Sequence, residues 1–596
     1  MNKIKFFKRA LFLAALFVPA IYISGSSAEN ISAVCAYNAG TSDGKVMNSP
    51  TSLLTPTSDS QIFKDACGLL LAVMKSQTAT PTISSQTIAS EYGLSLAGNP
   101  VSSVPVLHSN PDATRKLYLD FDGYTFPSNS SDSAWFGYFG GLAQPGASIP
   151  GLDLDGNPNS FSQLEQAYIT DTWVGVAEDF APFDIDVTTE NPGTAGLTRA
   201  NTNDESFGQT AVISSGANWS AQCGCGGVSY VAAINVIPSS VPSNPTLNPW
   251  GVNFNFNKFN NNSNYYVTAK DLAGIISHES GHAVGLGHDG TSSMGYYPGH
   301  SNGVWSPIMG TSYGASISQW SMNEYSGGTL TSLQGYVSDS GYGWYWVNNN
   351  NRDDFDIITL NNIPLRTDDY GNNPDDAYVL NRPSMSMSGI VGPYEDADYF
   401  KFTLSANQVV SAVATPIAKS PNLDIIMKLY DSNGDLITSF DPPIVRGNDT
   451  FPTGVDASFS RRSFTAGTYY LSIEGTGWGN PLNTGYSNYA SVGQYTFDFT
   501  IHLLSQTTLR ISNTALVNEA GTEVTMATTG GSGTGDVTFE TTNGACSITD
   551  DKLTAEDGQI CPVRAFKESD GTYSDATSAT VNFTFREAQA TLSITN

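Results

Sequence analysis

The stretch SHESGHAVGLGHDG, residues 277–290, holds three of the six histidines in a chain of 596 residues. His278 and His282 are four residues apart, so on an α-helix both imidazoles project from one face about one turn apart. Gly285 allows the helix to end and the chain to double back, because glycine adopts backbone angles that other residues avoid. His288 can then approach the first two imidazoles from outside the helix. The stretch therefore predicts a helix, a turn and a return segment that bring three histidines together.

The three histidines have the spacing of a metal site. Imidazole nitrogens bind Zn²⁺ at about 2.0–2.1 Å, and His278, His282 and His288 would leave one tetrahedral position open, as in catalytic zinc sites. Glu279 directly follows the first histidine, where a carboxylate contacts a metal-bound water rather than the metal. We therefore expect one catalytic zinc, with Glu279 as the general base.

The complete string His-Glu-x-x-His-x-x-Gly-x-x-His, followed by Met309 in SPIMGTSYG, resembles the metzincin zinc metallopeptidases. Asp289, directly after the third histidine, resembles the reprolysin-like branch of that family. Stretches such as YLDFDG, VAEDFAPFDIDVTTENP and CGGVSYV extend the similarity to secreted bacterial reprolysin-like enzymes over about 110–360. The resemblance implies an α/β catalytic domain, zinc ligation by the three histidines, and Met309 as a hydrophobic floor beneath the metal.

One position departs from the family pattern. Metzincins that use a tyrosine near the metal carry it two residues after the turn methionine, where this chain has Thr311. Tyr313 stands four residues after Met309, and a metal-proximal role for it stays open. His300 is expected to pack or hydrogen-bond outside the zinc shell, because three ligands already suffice. Asp289 is expected to brace the loop after His288 through hydrogen bonds.

Acidic residues elsewhere leave calcium open as a second metal. Asp153 and Asp155 begin an alternating series of oxygen ligands that continues at two asparagines, as in a calcium loop. Pro158 replaces the glycine that such a loop needs, and Leu164 stands where its bidentate glutamate belongs. Further acidic oxygens lie near predicted β-turns: Asp368, Asp369 and residues 395–398.

The chain begins with a pattern typical of a secretory signal. Residues 1–28 carry basic residues near the start, then an apolar run, then a small-residue end at Ala28. We expect cleavage after Ala28, with an uncleaved membrane anchor as the alternative. The protein is therefore expected to be secreted and extracellular, without stable membrane insertion after signal cleavage.

Residues 29–108 are interpreted as a propeptide or an N-terminal subdomain. The segment is rich in Ser and Thr, contains one helical-looking stretch at 61–77, and ends in the proline-punctuated stretch 98–113. Exposed linkers of this kind are preferred sites of proteolytic nicking. We therefore expect the segment to fold against the following domain and to be removed during maturation.

Residues 109–362 are predicted to form the catalytic domain. Hydrophobic periodicity predicts strands at 115–123, 183–190 and 226–237, and a long amphipathic helix at 161–180. Together with the histidine-rich helix, this order is an α/β layout. The strand that starts with GVSYV (227–231) is the candidate edge along which an extended peptide substrate would pair through its backbone.

Beyond about residue 360 the pattern changes to short strands separated by turns. Residues 363–504 resemble bacterial pre-peptidase C-terminal domains, and residues 505–596 resemble a single bacterial immunoglobulin-like repeat. The expected fold is therefore multidomain, with an α/β metzincin-type catalytic domain followed by two all-β sandwich domains.

The net charge of the chain limits the classes of partner that it can bind. With 55 acidic and 26 basic residues the net charge is −29, which argues against nucleic acid and anionic membranes as partners.

For Cys223 and Cys225, a bridge across one residue and metal binding both stay open. Export favours disulfides, and four other cysteines are expected to form two local pairs: Cys35 with Cys67, and Cys546 with Cys561.

These features favour a secreted, monomeric zinc endopeptidase that hydrolyses protein or peptide substrates. Two alternatives stay open. The first is an adhesion or binding protein whose metzincin-like domain is inactive, and the second is a zinc hydrolase that acts on something other than peptides. The intact histidine set and Glu279 favour the endopeptidase, because a decayed site usually loses one of these residues.

Overall fold

The protein is multidomain and mostly β-strand, with few helices. The computed structural model describes residues 55–56, 62–64, 70–75, 82–96, 100–101, 103–128, 135–238, 247–259, 265–291, 293–328, 334–338, 344–348, 353–445 and 453–588. The predicted signal segment and the expected Cys35–Cys67 pair lie outside these residues. Among the described residues, every helix is too short or too polar to cross a bilayer.

The first part of the chain combines strands and helices. Its described strands are β1 (Thr55–Pro56), β2 (Ile62–Lys64), β3 (Leu70–Lys75), β4 (Ile83–Ser84), β5 (Pro100–Val101), β6 (Lys116–Asp120), β7 (Gly123–Thr125), β8 (Ser148–Pro150), β9 (Phe161–Ser162), β10 (Asp186–Thr188), β11 (Gly208–Ser214), β12 (Cys225–Tyr230), β13 (Val252–Phe256), β14 (Tyr265–Tyr266), β15 (Trp305–Pro307), β16 (Ile317–Gln319), β17 (Gln334–Ser338) and β18 (Trp344–Asn348). Its described α-helices are α1 (Ser85–Glu91), α2 (Phe136–Phe139), α3 (Gln163–Asp179), α4 (Gly193–Leu197), α5 (Ala217–Cys223), α6 (Ala269–Ala283) and α7 (Asp354–Leu360), and a 3-10 helix spans Gly140–Ala143.

Eight of the described strands form one sheet in the order β1-β2-β3-β12-β13-β11-β6-β10. Strands β13, β11, β6 and β10 are parallel, whereas β12 is antiparallel to β13 and β3 is antiparallel to β12. Helices α3 and α6 pack against each other, and α6 also contacts β11, β12 and β13. Strands β6 and β10 lie within the stretches 115–123 and 183–190 that the sequence pattern predicts as strands.

Helix α3 begins at a capping box. The Ser162 side chain accepts a hydrogen bond from the Glu165 backbone, and the Glu165 side chain accepts one from the Ser162 backbone. This reciprocal pair satisfies two amides that the first helical turn leaves without partners. The helix spans Gln163–Asp179, within the predicted range 161–180.

Within the stretch 61–77, which is helical-looking in sequence, the described residues instead form β2 and β3. Strand β3 pairs with β2 on one side and β12 on the other, and Leu71, Ala72, Val73 and Met74 are all buried. A short run of consecutive apolar residues fits either a buried strand or a buried helix, so periodicity does not separate them. Pairing with β12 decides the outcome in favour of the strand.

The predicted strand at 226–237 is shorter than expected. Strand β12 ends at Tyr230, and Ala232 adopts a positive φ of 51°. The Ala232 amide then donates to the His282 carbonyl (2.7 Å), and the Ile234 amide donates to the Ala283 carbonyl (3.1 Å). The chain leaves the sheet here because its amides satisfy carbonyls that the end of α6 would otherwise leave open.

The described strands between Tyr378 and His502 form a β-sandwich. Its strands are β19 (Tyr378–Val379), β20 (Ser384–Val391), β21 (Ala397–Leu404), β22 (Gln408–Pro416), β23 (Ile425–Tyr430), β24 (Leu436–Phe440), β25 (Ala457–Phe464), β26 (Gly467–Gly475) and β27 (Gly493–His502). The sheets have the orders β19-β21-β26-β23-β24 and β20-β27-β22-β25. Phe400, Phe402, Phe497 and Phe499 lie in the shared apolar core. Buried residues alternate with more exposed ones along β22, as one face of a sheet requires.

The last part of the chain is also all β. Its strands are β28 (Arg510–Ile511), β29 (Val517–Glu519), β30 (Val524–Thr525), β31 (Thr528–Thr529), β32 (Val537–Thr541), β33 (Cys546–Thr549), β34 (Lys552–Ala555), β35 (Ile560–Lys567), β36 (Ala576–Thr577) and β37 (Val581–Arg586). A disulfide joins Cys546 to Cys561 next to a small apolar core, which confirms the expected local pair. A second disulfide joins Cys223 to Cys225 at the start of β12.

Candidate metal centre

Helix α6 carries the first two histidines of the motif. The Thr268 side chain caps its first turn by accepting from the Asp271 amide (3.1 Å). His278 and His282 occupy its last turns, and both are fully buried between the helix and the segments that follow it. The helix is nearly all buried, which fixes the direction of both imidazoles.

Hydrogen bonds orient the two imidazole rings. His278 Nδ1 donates to the Ile308 carbonyl and His282 Nδ1 donates to the Leu286 carbonyl, each at 2.8 Å. Because a carbonyl only accepts, both hydrogens reside on Nδ1, and both Nε2 atoms carry lone pairs. These Nε2 atoms lie 3.1 Å apart. Two lone pairs therefore face each other in a buried space.

The turn after α6 returns the third histidine to this point. Gly285 has a φ of +106°, which favours glycine, and its amide donates to the His282 carbonyl (2.8 Å). His288 then lies with its ring 4.7 Å from the His282 ring and 5.4 Å from the His278 ring. One ligand atom from each of the three histidines lies within 4.8 Å of the other two.

The donor set of this cluster fits a zinc ion. Burial, with a smaller contribution from His288, lowers the pKa of His278 to about 3 and that of His282 well below its usual value. Protons therefore do not relieve the repulsion between the two Nε2 lone pairs at neutral pH. Tetrahedral zinc with Zn–N bonds of about 2.0–2.1 Å holds its nitrogens roughly 3.3 Å apart, close to the 3.1 Å observed.

Glu279 lies on α6 between the two helical histidines and is fully buried. Strand β12 passes directly over its side chain, since a Cβ atom at Gly227 would stand 2.5 Å from the Glu279 Cγ. Burial raises the pKa of Glu279 well above its usual value, and the nearby Met74 backbone opposes this shift. The carboxyl group therefore sits between the histidines and the edge of β12, in a setting that favours holding a proton.

Met309 lies against the helix at the level of the histidines. A Cβ atom at Gly281 would stand only 2.5 Å from the Met309 Sδ, so a larger residue there would displace the thioether. The Met309 carbonyl also accepts from the Asp289 amide (2.9 Å), which ties the methionine turn to the residue after His288. Met309 therefore packs against the helix next to His282, and its role as a hydrophobic floor beneath a metal stays a prediction.

Asp289 braces the loop through its backbone. Besides the bond to Met309, its carbonyl accepts from the Tyr297 amide (2.6 Å). Burial raises the pKa of its side chain to about 7, and burial, with a smaller contribution from Asp289, raises the pKa of Asp354. The hydrogen bonds that fix the loop are thus made by the main chain of Asp289, whereas its carboxyl group belongs to a buried acidic pair.

Two tyrosines approach the cluster from different sides. Tyr313, left open in the sequence, is near enough to Glu279 for the carboxylate to raise its pKa, although burial is the larger cause. Tyr296 was not singled out in the sequence, yet its ring lies 4.4 Å from the His288 ring. Thr311, at the family's tyrosine position, instead donates its amide to the Tyr297 carbonyl (2.8 Å). No sequence signal shows which of the adjacent Tyr296 and Tyr297 faces the histidines.

His300 lies apart from the three clustered histidines. Its Nδ1 lies 3.1 Å from the Tyr297 hydroxyl and its Nε2 donates to the Gly485 carbonyl (2.5 Å) in the β-sandwich. It therefore joins the first part of the chain to the sandwich, outside the cluster of three histidines.

Two acidic groups also gather ligand atoms within 4.8 Å: Asp153, Asp155 and Glu165, and Asp368, Asp369 and Asp398. In the first group, Glu165 supplies the carboxylate that was missing at Leu164. Its Oε1 accepts from the Leu154 amide (2.8 Å) and its Oε2 from the Ser162 amide (2.7 Å). These hydrogen bonds satisfy the Glu165 carboxylate without a metal ion, and calcium binding by this group stays a prediction.

No protein-family model and no curated protein matches this sequence. Among solved structures, the chain is similar to the pre-peptidase C-terminal domain of a collagenase from Bacillus anthracis (13% identity over 22% of this chain and 100% of that one, TM-score 0.15). It is also similar to a surface-associated copper-binding protein important in copper acquisition in Methylomicrobium album BG8 (11% identity over 21% and 98%, TM-score 0.13). The structural neighbours thus include a pre-peptidase C-terminal domain, and the likeness of 110–360 to reprolysin-like peptidases stays a prediction.

Proposed function

We propose that the protein is a zinc-dependent endopeptidase. The observation that carries the proposal is the pair of buried Nε2 atoms, 3.1 Å apart, on two histidines whose Nδ1 atoms are tied to carbonyls. His278, His282 and His288 would hold the ion. The resemblance of the motif to the metzincins supports peptide bonds as the substrate.

The chain's own groups provide the proton transfers. A zinc ion held by these three histidines would supply Lewis acidity, which would lower the pKa of a bound water to about 7 and polarise the carbonyl of the peptide bond. Glu279, placed between His278 and His282, accepts a proton at its carboxylate and delivers it to the leaving nitrogen.

The substrate would bind along β12. An extended peptide adds to a sheet edge through its backbone, and the register is set by hydrogen bonds that do not depend on sequence. Gly226 and Gly227 lack side chains where Tyr313 and Glu279 approach the strand, with would-be Cβ distances of 2.6 Å and 2.5 Å. The glycine pair therefore lets the peptide-binding strand lie directly against the general base.

Hydrolysis of casein tests the proposal. The full chain is assayed before and after limited proteolysis in the linker 98–113, with and without a zinc chelator. We expect chelator-sensitive cleavage that zinc restores. The matched control is zinc-loaded Glu279→Ala protein treated with the same protease, which should release no further peptides. Equal casein cleavage by the two proteins would refute the endopeptidase proposal and leave the binding-protein alternative.

A further inference from the structure

The β-sandwich contacts the part of the chain that carries the histidines through the loop between β22 and β23. Asn422, in that loop, is 2% exposed, and its side-chain amide donates to the Asp179 carboxylate at the end of α3 (2.7 Å). The neighbouring Glu178 accepts from the backbone amide of Gln494 in β27 (3.1 Å). Two adjacent acidic side chains of α3 are therefore held by hydrogen bonds from the sandwich.

The same loop also binds the segment that follows the third histidine. The Asn422 carbonyl accepts from the Gln319 side-chain amide (2.5 Å), and the Gln319 side-chain oxygen accepts from the Trp305 indole (2.8 Å). Trp305 and Gln319 belong to the parallel pair of strands β15 and β16, in which Pro307 and Gln319 are register partners. The buried Gln319 amide group is thus tied on one side to the sandwich and on the other to β15.

Gln319 leads directly to the first histidine of the cluster. Its carbonyl accepts from the Ile308 amide, and the Ile308 carbonyl accepts from His278 Nδ1, each at 2.8 Å. One residue, Ile308, therefore links the imidazole to Gln319. Because the hydrogen bond at one ring nitrogen sets the tautomer and the orientation of a metal-binding imidazole, a shift of the Ile308 carbonyl would redirect the Nε2 lone pair.

The sandwich holds Asn422 in place through the two residues that follow it. Leu423 is fully buried in the apolar core of the sandwich, and the Asp424 amide donates to the Ser491 hydroxyl (2.8 Å). The Asp424 carboxylate also accepts from the Tyr486 hydroxyl (2.7 Å). The loop is therefore a fixed support for the Gln319 side chain.

From this chain of contacts we infer that Asn422 and Gln319 are positioning residues for the metal centre, through which the β-sandwich supports zinc binding. Asn422 fixes Gln319, Gln319 fixes the Ile308 carbonyl, and that carbonyl fixes the His278 ring. The inference rests on the proposed function. Loss of the contact with the sandwich would therefore weaken metal binding although all three histidines are retained.

Substitution of Asn422 by alanine in the full chain tests the inference. Asn422→Ala removes the donor to Asp179 and frees the loop whose carbonyl holds Gln319. The matched control is Lys419→Ala. Lys419 lies in the same loop and forms an ion pair with Asp171, about two turns before Asp179 in α3, so the control breaks a contact between the same two elements at a distance from Gln319.

Two measurements separate positioning from folding. The first is the exchange rate of the His278 Nδ1 proton, followed by NMR in zinc-free protein that carries isotope-labelled histidine, with the signal identified by its loss in His278→Ala. The second is the zinc affinity, measured by competition with a chelator. We expect Asn422→Ala to raise the exchange rate and to weaken zinc binding at least about tenfold, and Lys419→Ala to change neither by more than about twofold.

Gln319→Met, which keeps the length of the side chain without its donor, should have the same effect as Asn422→Ala. An unchanged exchange rate in both variants would overturn the inference, whatever their zinc affinity. So would failure of both variants to fold, followed by urea unfolding, because the two residues would then be needed for the fold and not for positioning. If the parent chain binds no zinc, the proposed function fails, and the exchange rate alone decides whether Asn422 and Gln319 orient His278.

Discussion

The chain places its histidines in two opposite electrostatic settings. His278 and His282 are fully buried, face backbone carbonyls through Nδ1, and have lowered pKa values. His108 instead lies between two carboxylates, with its ring nitrogens 2.8 Å from Asp186 and 3.0 Å from Glu190. Although burial would lower the pKa of His108, these hydrogen bonds raise it.

The difference separates histidines that can bind a metal from histidines that carry a proton. A carbonyl fixes the hydrogen on one ring nitrogen and leaves the other as a lone-pair donor, whereas two carboxylates favour the doubly protonated ring. The first arrangement leaves buried lone pairs that can bind a metal cation. The second arrangement is a complete ion pair that needs no metal. The spacing of histidines in the sequence does not show which of the two arrangements each of them adopts.

Removing a clustered histidine should have the largest effect. In His282→Ala protein one of three donors is lost, and we expect strong loss of zinc and of peptidase activity. The control is His502→Ala, because His502 contacts Ser411 and Arg461 in the β-sandwich and should not affect zinc. Metal analysis of both purified proteins checks this, and full zinc occupancy in His282→Ala would refute the ligand assignment.

Glu279→Gln should separate zinc binding from proton transfer. The amide keeps the size of the side chain but cannot accept a proton, so we expect zinc to be retained and the turnover number to fall about 10²–10⁴-fold. Glu395→Gln, at an exposed position of the sandwich, is the matched control. The measurement is the ratio of the turnover numbers of the two variants at equal zinc content. A ratio near one would move the general base elsewhere.

Gly281→Ala tests how rigidly the cluster is supported. Alanine favours helices by about 1 kcal/mol, but here its Cβ would stand 2.5 Å from the Met309 Sδ and 3.3 Å from Trp320. Overpacking should win and lower the free energy of unfolding by about 1–3 kcal/mol. In a Met309→Ala background the same substitution should cost less, which a double-mutant cycle measured by urea unfolding would show. Additive effects would mean that Met309 does not pack against Gly281.

The sequence was most informative where local spacing determines geometry. The helix that carries His278 and His282, the turn at Gly285 and the convergence of three histidines all follow from residues within one short stretch. Tyr296 and β3 could not be predicted in the same way, because their places depend on pairing between distant segments. The apolar run that includes Leu71 and Met74 fits a helix as well as a strand until β12 is beside it.

Glu165 shows the same limit in the candidate calcium loop. Strict spacing placed Leu164 at the position of the bidentate ligand, yet the loop backbone brings the next residue to the acidic group. Because Glu165 also closes the capping box of α3, a structural role explains it without a metal. The register of a loop is set by its own turns, and a one-residue offset is enough to change the ligand set that a pattern predicts.

The smallest effect is expected at His108, where the sign of the pH dependence sharpens the contrast. A raised pKa means that the His108 interaction is complete below its unfolded value of about 6.5 and is lost as pH rises through the folded value. Hydrogen bonds with His108 and Lys116 lower the pKa of Asp186 although burial would raise it, so that carboxylate contributes above pH 3.8. His108→Gln should therefore lower the free energy of unfolding by about 0.5 kcal/mol near pH 5.5 and by less near pH 8.5. Urea unfolding of His108→Gln and of His502→Gln at both pH values measures this, and an equal loss at both would show that His108 is not charged in the folded chain.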